Sequence, residues 1–351
     1  MPAMAQKDTE FSSRYLTEAY RRGAQKFGWK NAAPKSQKEG EWLIGQGVAT
    51  AYYPYYRFPA TAKIALYADG TAVVKAAAHE MGTATVQIQH AADRLGLPIK
   101  NISFQYGDSE LPEASFAGGS NQTASIVAGI TAAAEKVLEE LFDTAAKNKS
   151  FPLHSVDYKD TEARDGGIFS KKDPGKGATY GDIFKLIDKG FIEAEATSGM
   201  PLELMKYSMA SYGAQFAEVR VNEITGEVRV SRWLGSFDSG KILNPKTATS
   251  QFRGGIIRGI GMALTEETFF DERNGRIMNP SLAEYHVPVN ADVPHIDIIY
   301  NDIPDEYTPL GGHGIGEIGI TGVAAAIANA VFNATGKRIR SLPITLDKVM
   351  A

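Results

Sequence analysis

One order of elements occurs twice in this 351-residue chain, and that repetition constrains the fold more than any other feature. Residues 64–74 (IALYADGTAVV) alternate around Asp69-Gly70, the turn chemistry of a β-hairpin. TVQIQHAADRLG then has helical spacing and closes at Gly96. ISFQY, at 102–106, reads as a short strand. The loop GDSELPEASFAGGSNQ leads from it into the helical run TASIVAGITAAAEKVLEELFDTAAK. In the C-terminal half, FAEVRVNEITGEVRVSRW forms a hairpin around Thr225-Gly226, TATSQFRGGIIRGIGMALTEETF a helix and HIDIIY a strand. IPDEYTPLGGHGIGEIG is a second glycine- and proline-containing loop, and TGVAAAIANAVFNATG a helix capped by Gly336. The pattern predicts an α+β fold of two duplicated hairpin-helix-strand-helix units. Each glycine loop then precedes a helix N-terminus, where unpaired amides and the helix dipole favour an anion. Two such loops sharing one crevice would suit a large anionic cofactor; as plain tight turns they would bind nothing. Pattern alone leaves both open.

Around these units, residues 8–27 have helical spacing in Phe11, Tyr15, Leu16, Ala19, Tyr20 and Phe27, and 31–41 form a polar connector. Residues 154–181 are charged and turn-rich, and GDIFKLIDKG is a short helix. The expected organisation is an N-terminal helix and connector over 1–42, a first subdomain over 43–153, a connecting excursion over 154–200 and a second subdomain over 201–351.

Composition excludes several function classes. Charged residues make up 22% and apolar ones 43%, the balance of a globular protein. Net charge is −4 and no Lys/Arg stripe interleaves with aromatics, which argues against nucleic acid. No apolar run approaches the ~18–20 residues of a membrane helix. MPAMAQKDTEF lacks the apolar core of a secretory signal, so a cytoplasmic location is expected, or a periplasmic one reached on a partner's signal. Cysteine is absent, so this chain alone holds neither a disulfide nor a thiolate-ligated metal cluster. Its six histidines lack zinc-ligand spacing.

Candidate chemistry concentrates in GGHGIGEIGITG at 311–322. Gly314, Gly316 and Gly319 spell GxGxxG, but the preceding IPDEYTPLGGH is no strand, so a dinucleotide fingerprint is not supported. Glu317, placed just before or in the first turn of a 321–335 helix, is either a dipole-complementing glutamate or a base in a crevice. Glu266-Glu267 read as a solvated helix face, and Asp108 and Asp238 as turn formers. Ser120-Asn121-Gln122-Thr123 cap a helix or contact phosphate. Gln251 precedes Gly254-Gly255 on a helix, where bare backbone admits something bulky.

GIGEIGITGVAAAIANAVFNATGKRIRSLPITLDK resembles the C-terminal end of the molybdenum-binding subunit in the xanthine dehydrogenase/aldehyde oxidase family. FAEVRVNEITGEVRV, DSGKILNP, SQFRGGIIRGIGMALTEE, RNGRIMNPSLAEYHVPVNADVP, GDSELPEASFAGGSNQTAS and AHEMGT match further blocks in family order. Their wording is most similar to bacterial aldehyde oxidoreductases of the periplasmic type. The resemblance implies a molybdopterin, in its cytosine dinucleotide form, whose dithiolene rather than a side chain holds the molybdenum. Glu317 falls on the family's catalytic glutamate. Gly312, His313, Gly314, Ile315 and Gly316 fall on the loop approaching the metal, Ser120, Asn121, Gln122 and Thr123 on a second cofactor loop, Gln251 on a pterin-contacting glutamine, and Gly82-Thr83 on another cofactor loop.

Three departures stand out. The loop after Gly82 is shorter than the family's, His313 replaces a common lysine or arginine, and the family's N-terminal half has no counterpart here. The implied function is the catalytic half of a molybdenum hydroxylase that oxidises aldehydes to carboxylic acids with water as oxygen source. Electrons would pass to an iron–sulfur subunit and an FAD subunit, neither group residing in this chain, and the chain alone would be inactive. Alternatives are hydroxylation of an N-heterocycle (purine, nicotinate or isoquinoline type) and a non-catalytic assembly module.

Overall fold

The computed structural model describes residues 9–29, 37–79 and 82–351. Residues 31–36 of the expected connector and two residues of the AHEMGT block lie outside them. In chain order the elements are α1 (Leu16–Phe27), β1 (Gln37–Glu39), β2 (Trp42–Pro54), β3 (Thr61–Tyr67), β4 (Ala72–Lys75), α2 (Ala84–Leu95), β5 (Ile102–Gln105) and α3 (Gln122–Ala146). There follow β6 (Thr161–Arg164), β7 (Gly167–Ser170), β8 (Gly177–Thr179), α4 (Tyr180–Ile187), β9 (Phe191–Thr197) and α5 (Glu203–Lys206). The remainder are β10 (Ala210–Asn222), β11 (Val228–Asp238), α6 (Pro245–Leu264), β12 (Phe270–Asp271), β13 (Arg276–Ile277), β14 (His295–Tyr300), α7 (Val323–Thr335) and α8 (Leu346–Met350).

The chain divides into two compact units, Met1–Tyr55 with Lys206–Ala351, and Tyr56–Met205. The mixed sheet of the Tyr56–Met205 unit has the order β5-β4-β3-β9. The β3–β4 hairpin turns at Gly70 (φ +76°), with the Thr71 amide donating to Asp69 Oδ1 at 2.9 Å. Helix α2 carries the chain to β5, which runs parallel to β4, and α3 packs over β3 and β9. Ile64, Leu66, Val74, Ile126, Ile130 and Leu141 close the core between sheet and helices. The opposite face is polar, with Lys63 paired to Glu193 at 3.2 Å.

The other unit repeats this order. Its sheet is β1-β2-β10-β11-β14, with β10 and β11 antiparallel and β14 parallel to β11. Helix α6 makes the crossover, and α7 packs on β2 and β10. The alanine-rich stripe of α7 has a geometric cause: a Cβ on Gly47 would lie 2.2 Å from Ala326 O, and one on Gly45 2.2 Å from Ala330 O. Strand and helix backbones approach this closely only because both sides are small. Helix α1 covers the other sheet face, placing Phe27 against Phe216 and Leu234.

The fourth strand explains how these units differ from the subdomain boundaries expected from sequence. β9, inside the expected excursion, is an edge strand of the 56–205 sheet. Its counterpart β2 comes from the N-terminal side of the chain and pairs with β10 from Pro54 to Trp42. Residues 43–55 therefore belong with 206–351. Two further expectations change. The N-terminal helix starts only at Leu16, because the preceding backbone pairs elsewhere: Ser12 N donates to Ser208 O, and Ser208 N to Glu10 O. Helix α6 stops at Leu264, so Glu266 and Glu267 lie beyond it; Glu266 N folds back onto Gly261 O, and Glu266 Oε2 accepts from Tyr285 OH at 3.1 Å.

Candidate functional site

Glu317 lies in a run of turns at 316–322, several residues ahead of α7 rather than in its first turn. The chain enters from Gly312, which bridges Gly240, while Lys241 N donates to Gly311 O at 2.8 Å. Ser211 Oγ then holds Gly314 O at 2.8 Å. The turns close through Ile320 N to Glu317 O and Thr321 N to Ile318 O, both at 3.2 Å. Ile318 is wholly buried and pins the run into the core.

One glutamine fixes the far side. Gln215 on β10 is fully buried; its Nε2 donates to Gly319 O at 2.9 Å and Thr321 O at 3.2 Å, and its Oε1 accepts from Trp233 Nε1 at 2.9 Å. Both amide hydrogens and the carbonyl oxygen have a partner, which offsets the cost of burying this amide. Helix α6 supports the run from outside. A Cβ on Gly255 would lie 2.7 Å from the Gly319 and Ile320 backbone. At the neighbouring Gly254 a Cβ would meet none of the described residues within 4 Å, and Gln251 is exposed on the stripe of α6 that also carries Gly255. The loop at 312–316, Glu317 and Gln251 are thus brought into one neighbourhood by the Gly255–Gly319 contact.

His313 is turned inward. Its side chain is 2% exposed; Nδ1 donates to Ala210 O at 2.8 Å, Nε2 meets Asp305 Oδ2 at 2.7 Å, and the Tyr55 ring packs 5.6 Å away. Its amide is also engaged, donating to Ser239 O at 2.9 Å. What residue 313 can present to a ligand is its carbonyl, not its imidazole. Burial pushes the Asp305 carboxyl up, but hydrogen bonds from His313, the Ser12 hydroxyl and the Tyr307 amide outweigh it and leave it below the usual carboxylate value. Asp238 behaves oppositely. Burial dominates and raises its carboxyl, despite the Tyr15 amide donating to Oδ2 at 2.5 Å. Asp238 ends strand β11 at 2% exposure, so it is a buried group rather than the turn former its residue type suggested. Asp108 does form a turn, accepting from Glu110 N at 2.9 Å.

In the 56–205 unit, Gly82 (φ +75°) and Thr83 stand at the N-terminus of α2. Ser115 to Asn121 lead into α3, with Gly119 (φ +62°) and Ser120 (φ +54°) successively left-handed. A non-glycine residue in that conformation is strained unless its surroundings impose it. Here Asn121 imposes it. The side chain is fully buried, donates to Gly118 O and to Phe116 O at 3.2 Å, and accepts from Ser115 Oγ and from Ser125 Oγ at 2.9 Å. Asn121 therefore shapes the loop instead of reaching outward. Gln122 differs. It is 1% exposed, and its Nε2 donates to Ser115 O at 3.1 Å and approaches His79 Nδ1 at 3.5 Å. Its Oε1 is buried and accepts no hydrogen bond from the described residues. Thr123 lies half-buried on the first turn of α3. The Gln122–His79 approach and the Ala77–Glu113 bridge bring the Gly82-Thr83 and Ser120–Thr123 segments to neighbouring positions.

Sequence reasoning missed Gln215, Ser211 and Asp305. Each is a common residue type with no local motif, and only pairing between distant segments gives it a role.

Residues 22–294 match the family model described as a molybdopterin cofactor-binding domain. The aldehyde oxidoreductase molybdenum-binding subunit PaoC of Escherichia coli K12 is 38% identical over 345 residues, covering 97% of this chain and 45% of that protein. The putative xanthine dehydrogenase molybdenum-binding subunit XdhA of the same organism is 30% identical, covering 94% and 45%. The chain thus spans about half the length of the curated relatives it matches. Among solved structures, the reconstituted CO dehydrogenase from Oligotropha carboxidovorans superposes with a TM-score of 0.79 at 20% identity, over 100% of this chain and 46% of that one. That likeness shows the shared fold.

Proposed function

This chain belongs to the molybdopterin cofactor-binding domain family, and on that premise we propose that it forms the catalytic half of a molybdenum hydroxylase acting on aldehydes. The supporting observation is the build of the Glu317 turn. A carboxylate is set on a run of bare backbone that Gln215, Ile318 and Gly255 hold from three sides. A base takes a proton efficiently only from a defined position, and these contacts fix the backbone that carries Glu317.

The residues present suit the cofactor. Gln122 Oε1 is a buried acceptor with capacity for a donor-rich heterocycle edge. The amides opening α2 and α3 suit a phosphate group. Within the 56–205 unit, Gly82, Thr83, Ser120, Gln122 and Thr123 are the proposed cofactor-binding residues, with Asn121 setting their loop. Within the other unit, taken by itself, the proposed residues are Gly312, Gly314, Ile315, Gly316 and Gln251, with residue 313 contributing backbone alone. The cofactor, in our proposal the cytosine dinucleotide form, supplies the oxygen-transfer and two-electron chemistry when bound. The chain supplies a directed carboxylate at Glu317 that accepts a proton, and the loop backbone that orients the substrate beside it.

PaoC, the more similar of the two relatives, is named an aldehyde oxidoreductase subunit and favours aldehyde over N-heterocycle as substrate class. The remaining half of the subunit, an iron–sulfur protein and an FAD protein would complete the enzyme. The test is co-production with those partners in a host that makes the cofactor. Molybdenum near one per chain with dye reduction driven by aromatic aldehydes supports the proposal. Loading with turnover of purine or nicotinate alone supports the heterocycle alternative. Failure to load beside all partners supports an assembly module.

A further inference from the structure

We propose that His313 and Asp305 are positioning residues: an inward-facing anchor, completed by Ser12, that sets the backbone of 312–316 and thereby the aim of Glu317. The inference rests on the reading of Glu317 as the base.

Hydrogen-bond accounting carries it. Ala210 O can only accept, so His313 Nδ1 bears a proton. Asp305 accepts on both oxygens, from Ser12 Oγ at 2.5 Å on Oδ2 and from the Tyr307 amide at 2.9 Å on Oδ1. The second ring nitrogen lies 2.7 Å from Oδ2, so ring and carboxyl form a buried hydrogen-bonded pair. One rigid ring thus ties the loop to two separate segments, the start of β10 and the 305–311 turn, while its amide ties to Ser239. Residue 313 is held at three points, and Glu317 follows one loop later.

Ser12 adds a connection that the sequence did not suggest. The segment before α1 is clasped into this unit through Ser12 on Asp305, Tyr15 N on Asp238, and Asn301 Nδ2 on Tyr15 O at 3.1 Å. The strand of chain preceding α1 therefore belongs to the support of the loop. An ammonium side chain at 313 could not reproduce the arrangement, because it has no fixed pair of opposed nitrogens.

The test compares His313→Gln, Asp305→Asn and the double variant in the full chain by amide hydrogen exchange, with turnover and metal content measured in the co-produced enzyme. The anchor predicts exchange at Gly314–Gly316 about ten-fold faster in each single variant, with the double no faster than the quicker single. It also predicts a fall in kcat of about ten- to a hundred-fold at unchanged KM and metal content. Additive effects, unchanged loop exchange, or protection lost equally across β10 and α7 would overturn it. Glu317→Gln should leave loop exchange at the parent rate. Turnover retained in that variant would end the reading of Glu317 as base, while the exchange measurements still decide the anchor.

Discussion

Two adjacent glycines of α6 are expected to respond to alanine with opposite signs. A Cβ at 255 would lie 2.7 Å from Gly319 C, Gly319 Cα and Ile320 N, whereas one at 254 meets none of the described residues within 4 Å. Carbon contacts settle near ~3.5–4.0 Å, so Gly255→Ala must push the 316–322 turns away by roughly 1 Å. Overpacking of this kind costs about 1–3 kcal/mol, and the helix gains back about 0.5–1 kcal/mol from replacing glycine. The net is about 0.5–2 kcal/mol of destabilisation at 255, against about 0.5–1 kcal/mol of stabilisation at 254. For a unit of this size, thermal melting of the cofactor-free chain should fall by roughly 1–8 °C for Gly255→Ala and rise by roughly 1–4 °C for Gly254→Ala. The displaced turns carry Glu317 with them, so turnover per bound metal at 255 should fall by about a hundred-fold. Equal melting shifts for the two variants, or stabilisation at 255, would refute the close approach and with it the buttress beneath Glu317.

The two buried carboxylates near residue 313 should also part company. Asp305 is held low, so its contribution is present above the unfolded value and lost as pH falls through the folded one. Asp305→Asn should therefore lower the melting temperature at pH 7 and flatten the acid limb of its pH profile. Asp238 is raised, so its ionised form opposes folding at neutral pH; Asp238→Asn should melt no lower than the parent at pH 7. His90, hydrogen-bonded to Thr131 at 2.8 Å, is pushed down to about 4 by burial and the nearby Arg94. Its contribution is present above 6.5 and lost as pH falls toward about 4, and His90→Gln should remove that slope from a melting series between those values.

Much of the fold was legible because local signals agreed with the tertiary arrangement. Asp69-Gly70 and Thr225-Gly226 turn hairpins as their residue types require, and Gly96 and Gly336 close helices in the left-handed conformation. The duplicated order survives in two sheets with matching strand sequence. What escaped was set by distant pairing. β2 has glycines where a strand signal would have alternating large residues, because α7 needs that space. The helical spacing of Phe11 and Tyr15 misled because Ser208 competes for the backbone. At the candidate site, Glu317 and the bare loop could be named from sequence, but the inward turn of His313 could not. Its partners Asp305, Ala210 and Tyr55 are specified only by the fold.

The most direct measurement is turnover of Glu317→Gln beside its molybdenum content, in enzyme co-produced with its partner chains. Metal bound as in the parent with turnover reduced by about 10²–10⁴-fold is the predicted result, as expected for loss of a positioned base. Turnover within a few-fold of the parent at equal metal content would contradict the account.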